Sequence, residues 1–193
     1  MGLFRRRSEN AGGRVDWLIV GLGNPGERYA RTRHNIGFEV VELLTERWGL
    51  PRERDRYAGR YAEGRTGPGG ARVATLRPQT FMNEAGRSVG PARGFLKLEL
   101  DRVLVAHDEI DLPFGEIQVR TGGGLAGHNG LKSMREGLGS SDFRRVRIGV
   151  GRPDTTDPEI VSAHVLGKWR ESGAQVRELV ERARDEAERL VLG

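Results

Sequence analysis

Cysteine is missing from all 193 residues, which excludes disulfides and thiolate metal sites and leaves nothing that calls for an oxidising compartment. The expected setting is cytoplasmic. No run approaches the roughly 20 apolar residues that cross a bilayer, and Arg5, Arg6 and Arg7 are followed by no apolar stretch of signal-peptide type. Residues 1–13 read as a flexible basic tail, and 14–193 as one domain large enough to bury a sizeable core. Aromatic residues make up only 6% of the chain, so a nucleic acid is expected to be recognised by backbone and shape rather than by base stacking. The chain also lacks a G-x-S-x-G nucleophile elbow, and its histidines form no His-x-x-x-His pair. These absences argue against a serine hydrolase and against structural zinc.

The formal charge of +5 points toward a polyanionic partner. The C-terminal arginines contribute little to that reading, because Arg177, Arg182, Arg184 and Arg189 are interleaved with glutamates and read as an ion-paired, solvated helix face. Elsewhere apolar strands alternate with helical periodicity. Val15 to Gly21 reads as a buried strand, and Asn35 as the cap of a helix from Ile36 to Trp48, with Ile36, Val40, Leu44 and Trp48 on one face. Residues 52–70 are polar and glycine-rich, with a short strand near Tyr61. Strands are expected over 71–76, 103–106, 116–120 and 145–150, the last with Val146, Ile148 and Val150 inward and Arg145 and Arg147 outward. Helices are expected over 88–98, 129–138, 158–165 and 171–192. This pattern predicts an α/β fold, a single-domain three-layer α/β/α sandwich with a mixed, largely parallel twisted sheet flanked by helices. Ligands of such sheets gather at the carboxyl ends of the strands.

The chemistry-bearing residues fall at those ends. Gly21-Leu22-Gly23-Asn24-Pro25-Gly26 follows the first strand and leads to Thr32-Arg33-His34-Asn35. Asn83 ends Arg77-Pro78-Gln79-Thr80-Phe81-Met82-Asn83, Asp108 lies in His107-Asp108-Glu109-Ile110-Asp111, and Asn129 closes the glycine-rich run from Gly122. A histidine suits a general base near neutral pH, and a carboxylate such as Asp108 can hold its tautomer. Asparagine adds a donor and an acceptor that do not titrate, suited to holding a water, a carbonyl or an oxyanion. Gly122, Gly123 and Gly124 fit a loop that borders or gates a cleft. Arg120, Lys132, Arg144, Arg145 and Arg147 supply positive charge for a phosphate.

Competing motifs are weaker. Gly21 to Gly26 matches the dinucleotide fingerprint literally, but Pro25, Tyr29 and Thr32 delay the helix and no acid ends a second strand about 20 residues on. Gly130-Leu131-Lys132-Ser133 resembles the end of a phosphate loop, with a leucine between glycine and lysine. Asp108, Glu109 and Asp111 could hold magnesium, but the segment through Pro113 reads as an acidic strand exit. No metal and no cofactor are expected.

In order along the chain, these blocks resemble the bacterial peptidyl-tRNA hydrolase family, from Leu18 to about Trp169. Those that carry the likeness are Leu18 to Gly26 with Tyr29 and Thr32 to Asn35, Arg77 to Glu84, His107 to Pro113, Gly122 to Lys132, and Arg147 to Pro153. The resemblance implies a monomeric, metal-independent esterase that cleaves the bond joining a peptide to the terminal ribose of tRNA and so recycles prematurely released peptidyl-tRNA. Its partner would be peptidyl-tRNA, held through the acceptor stem, the CCA end and the attached peptide. By the same resemblance His34 matches the catalytic base and Asp108 the carboxylate that orients it. Asn24, Asn83 and Asn129 match the asparagines that position base, water and peptide, Tyr29 and Met82 match cleft-lining residues, and Arg120 and Arg147 match positions that hold the tRNA acceptor end. The family's loop often reads Gly-Gly-Gly-His-Gly-Gly-His-Asn-Gly; Leu125 and Ala126 stand here in place of its first His and a Gly. Two alternatives stay open: an RNA-processing factor of the same fold that does not hydrolyse, and a dinucleotide-dependent oxidoreductase.

Overall fold

The computed structural model describes residues 13–193, so the basic tail expected over 1–13 lies, apart from Gly13, outside the described residues. Strands and helices alternate in the order β1 (Trp17–Gly21), α1 (Ile36–Arg47), β2 (Arg54–Arg56), β3 (Gly59–Arg65), β4 (Arg72–Pro78), α2 (Gly86–Leu96), β5 (Val103–Glu109), β6 (Ile117–Thr121), α3 (Asn129–Leu138), β7 (Arg144–Gly149), α4 (Pro158–Val165) and α5 (Gly173–Leu192). They form one seven-stranded sheet in the order β2-β3-β4-β1-β5-β7-β6. The four inner strands β4, β1, β5 and β7 are parallel, while β3 pairs antiparallel with β4 on one side, with β2 antiparallel to it at the edge, and β6 pairs antiparallel with β7 on the other. This is the expected mixed sheet.

Period-two alternation divides the inner strands between two cores. Leu18, Val20, Val103 and Val105 pack with Val89 of α2 and Leu131 and Met134 of α3. Trp17, Ile19, Leu104 and Ala106 pack with Val40, Val41 and Leu44 of α1 and Leu179, Val180 and Ala183 of α5. A helix layer therefore covers each face. At ~25 cal/mol per Å² of apolar surface, burying one such Leu or Val contributes about 1.5–3 kcal/mol. α1 sits unusually close to the sheet at Gly37, where a Cβ would collide with the carbonyl oxygen of Ala106 and lie 2.6 Å from the Leu22 nitrogen. The absence of that Cβ presses the helix that follows His34 against the strand that carries Asp108.

The chain leaves β1 toward β4 on one side and later returns to β5 on the other, so the connections diverge above β1. That divergence opens a crevice at the carboxyl ends of β1, β4 and β5. Two expectations need correction. The polar stretch before β3 holds an additional strand, β2, closed by Tyr57 and Ala58 in left-handed conformations (φ 54 and 49). β2 is an edge strand with Arg54 and Asp55 exposed, so it lacks the apolar alternation that would have revealed it. Arg145, expected outward, is only 1% exposed, for a reason that belongs to the site.

Candidate active site

Gly21 ends β1, and the loop beyond it is fixed from the far side by Asn35. The Asn24 backbone N–H donates to Asn35 Oδ1 at 2.8 Å, and Asn35 Nδ2 donates to the Asn24 carbonyl at 2.9 Å. Asn35 precedes α1 but makes no side-chain cap, so its expected capping role is replaced by this clamp. Held in this way, Asn24 accepts the Met82 backbone N–H on Oδ1 at 2.8 Å, tying the β1 loop to the turn after β4. Its amide nitrogen is left for the cleft that the residue lines.

The single 3-10 turn Arg33–Asn35 carries His34. Its Nδ1 lies 2.9 Å from both carboxylate oxygens of Asp108, near the end of β5. Asp108 is 1% exposed and His34 9%, so the pair works in a poorly hydrated setting where charge interactions are strong. With Asp108 ionised, the proton sits on His34 Nδ1 and Nε2 keeps its lone pair. Burial lowers the pKa of His34, but the charge and hydrogen bond of Asp108 outweigh it and the net shift is upward. For Asp108 burial acts upward, and the charges and hydrogen bonds of His34 and His128 overcome it, holding the carboxyl well below its usual range.

His128 is the component that the sequence reading did not single out. Its Nε2 is 2.9 Å from Asp108 Oδ1, while its Nδ1 accepts from the backbone N–H groups of Gly130 and Leu131 at 3.1 and 3.3 Å. Two donors on Nδ1 place the proton on Nε2, where it is given to Asp108. One imidazole thus caps α3 and supports the carboxylate that supports His34. The signal was present in the sequence, since His128 and Asn129 are adjacent at the glycine loop's exit into a helix. His107 packs edge-on against His128 at 5.2 Å between ring centroids. Complete burial, with His128 adding to it, pushes the pKa of His107 down to about 3, so it is a neutral wall.

A cleft of about 680 Å³ opens over His34 and Asp108. Met82 is buried in its floor, whereas Asn83 and Asn129 are exposed and turn toward the cleft from opposite turns. Lys132 on α3, Val161 and Val165 on α4, and Leu166 just past its end complete much of the wall. Tyr29 sits in the earlier turn Glu27–Tyr29, beneath the guanidinium of Arg28, and is not among the lining residues. Arg120 is exposed on β6, next to Gly123 of the glycine loop. Arg147 is committed to Glu109 at 3.1 Å and Gln118 at 2.8 Å. Arg145 turns beneath the glycine loop and donates to the carbonyls of Gly122 and Gly124, which is why it is buried. An arginine can leave solvent when carbonyls receive its donors.

Among the described residues, His34, Asp108 and His128 place one potential metal-ligand atom each within 4.8 Å of one another. An ion held through the carboxylate would compete with the hydrogen bonds that His34 Nδ1 and His128 Nε2 make to Asp108.

Fold and site together define a class: a hydrolytic centre on an α/β fold in which a carboxylate-oriented histidine can activate water, with neutral amides around the position of attack. The peptidyl-tRNA hydrolase family model matches residues 18–193, and the chain belongs to that family. It is 46% identical over 153 residues to the peptidyl-tRNA hydrolase of Halalkalibacterium halodurans, covering 79% of this chain and 80% of that protein. It is 46% identical over 179 residues to that of Phenylobacterium zucineum, covering 91% and 84%. The crystal structure of peptidyl-tRNA hydrolase from Acinetobacter baumannii superposes with a TM-score of 0.80 at 39% identity, covering 94% of this chain and 91% of that one.

Proposed function

We propose that this chain hydrolyses the ester between a peptide, or an N-blocked aminoacyl group, and the terminal ribose of tRNA, with His34 as general base. The observation that carries the reading is His34 Nδ1 held by both oxygens of buried Asp108 at the edge of an open cleft. Nε2 takes a proton from water, Asp108 stabilises the imidazolium, and the resulting hydroxide attacks the ester carbonyl. The tetrahedral oxyanion collapses, and the ribose hydroxyl leaves with a proton returned by His34. Asn24, Asn83 and Asn129 offer neutral amide donors to the water, the peptide backbone and the oxyanion, and Met82 supplies apolar floor. Tyr29 keeps its place in the reading only as a residue of the neighbouring turn.

Arg120 is suited to a phosphate of the acceptor end because it is exposed beside the glycine loop, whereas Arg147 would have to share its guanidinium with Glu109 and Gln118. The chain acts as a cytoplasmic monomer in this reading, without a metal or other cofactor. No helix among the described residues is long and apolar enough to cross a membrane. The test is release of N-acetyl-aminoacyl groups from tRNA by purified protein, with His34→Ala and an unblocked aminoacyl-tRNA in parallel. Cleavage of the blocked substrate alone, lost by about 10²–10⁴-fold in His34→Ala, is expected. Undiminished turnover in the variant would remove the base assignment.

A further inference from the structure

Behind α4 lies a second cavity, of about 510 Å³. The helix is the partition: Val161, Ser162 and Val165 face the reactive cleft, Ile160, Ala163 and His164 face the second cavity, and Arg152 borders both. Arg33, Arg152, Lys168 and Arg170 make its lining basic, against Asp154. Arg33 is only 3% exposed. Its Nη1 donates to the carbonyls of His164, Gly167 and Lys168 at 3.2, 3.4 and 2.8 Å, and its Nη2 lies 3.6 Å from Glu171. Its Nε is buried with no hydrogen-bond partner among the described residues.

Lys168 and Arg170 have no carboxylate within ion-pair distance among the described residues, and Arg152 is paired with Asp111 at 2.7 Å. Burial lowers the pKa of Arg33, Glu171 opposes that shift, and the neighbouring charge of Arg170 adds to it. The four cations exceed the three nearby carboxylates, Asp154, Glu171 and Asp111, by one charge. A single phosphodiester carries the matching charge, and guanidinium and ammonium donors suit its oxygens.

We infer that this cavity is a phosphate subsite for the single-stranded 3′ end of the nucleic-acid substrate, with exposed Lys168 and Arg170 as donors, buried Arg33 holding the segment that carries them through its bonds to the His164, Gly167 and Lys168 carbonyls, and Arg152 at the rim shared with the cleft. The inference rests on the peptidyl-tRNA reading above: the ester's ribose occupies the cleft, so the phosphates next along the chain are the anions brought nearest. The subsite is joined to the reactive residues by backbone. Arg33 immediately precedes His34, its N–H donates to the Gly167 carbonyl at 3.2 Å, and Thr32 bridges to Lys168. A phosphate held there braces α4 against the turn that carries His34.

The test uses the full chain and a 5′-labelled CpCpA trinucleotide, with binding followed by fluorescence anisotropy over a salt series. Lys168→Ala/Arg170→Ala should weaken binding about tenfold at low salt, the equivalent of about 1.4 kcal/mol. It should also flatten the slope of log affinity against log salt by about 0.7, the contribution of one single-strand phosphate. Arg177→Ala/Arg182→Ala, which removes as many charges from the exposed face of α5, should change neither quantity. Inorganic phosphate should compete with CpCpA in the unaltered protein, and the Lys168/Arg170 variant should show a raised KM for N-acetyl-aminoacyl-tRNA. Equal CpCpA affinity and salt slope in the two double variants would overturn the subsite, as would competition by an acidic peptide but not by phosphate. Binding is read without turnover, so failure of the subsite is separate from failure of the unaltered protein to hydrolyse the ester, which overturns the reading beneath it.

Discussion

Replacing Asp108 by asparagine keeps the shape of the side chain and removes the charge around which the site is arranged. Both carboxylate oxygens now lie 2.9 Å from His34 Nδ1, and Oδ1 also receives His128 Nε2. In Asp108→Asn the single remaining oxygen stays with His128 Nε2–H, and the new NH₂ group faces the protonated Nδ1 of His34. Two N–H groups cannot face each other at hydrogen-bond distance, so His34 is driven to carry its proton on Nε2, the atom that must accept one from water. At an effective dielectric of about 20, unit charges 2.9 Å apart interact by about 6 kcal/mol, which is the scale of imidazolium stabilisation lost. Loss of general-base help lowers kcat by about 10²–10⁴-fold, equivalent to about 3–5 kcal/mol in the barrier.

The pH profile supplies a second readout. A histidine base works when neutral, so activity rises with pH through the pKa of His34, which Asp108 holds above its usual value. In Asp108→Asn burial is left unopposed and the rising limb moves to lower pH. The raised pKa of His34 contributes stability that is full below about 6.5 and disappears as pH rises through the folded value. The depressed pKa of Asp108 contributes stability present above about 3.9 and lost as pH falls through its folded value. Initial rates of ester hydrolysis measured against pH, with urea unfolding to verify the fold, decide the matter. A variant within about threefold of the parent in kcat, with an unmoved limb, would refute the role given to Asp108.

Two further outcomes follow from the same geometry. His128→Ala removes the cap of α3 and one of the donors to buried Asp108, so equilibrium urea unfolding should show a loss of about 1–3 kcal/mol, with kcat reduced less than in Asp108→Asn; unchanged stability would deny the cap. Gly37→Ala drives a methyl into the Ala106 carbonyl and separates the helix after His34 from the strand of Asp108. It should cost about 1–3 kcal/mol and lengthen the His34–Asp108 bond, visible as a downfield imidazole N–H resonance that weakens or shifts; an unaltered resonance would show that α1 yields without disturbing the pair.

The sequence alone determined the alternation of strands and helices, because Leu18, Val20, Ile36, Val40 and Leu44 obey periodicities that local geometry imposes. It also identified turn-end residues whose chemistry suits hydrolysis, since a histidine, an aspartate and asparagines next to glycine-rich turns can be read without coordinates. Other features depended on distance in three dimensions. β2 was hidden because an edge strand need not alternate, and the burial of Arg145 because its partners are carbonyls of a loop more than twenty residues away. The clamp of Asn35 on Asn24 and the place of His128 on Asp108 required the loop, the turn and β5 to converge above β1. Periodicity records which face of an element meets the core. Which polar atoms meet one another is decided only when separate strand ends are brought to one crevice, and that is where the two histidines came to share Asp108.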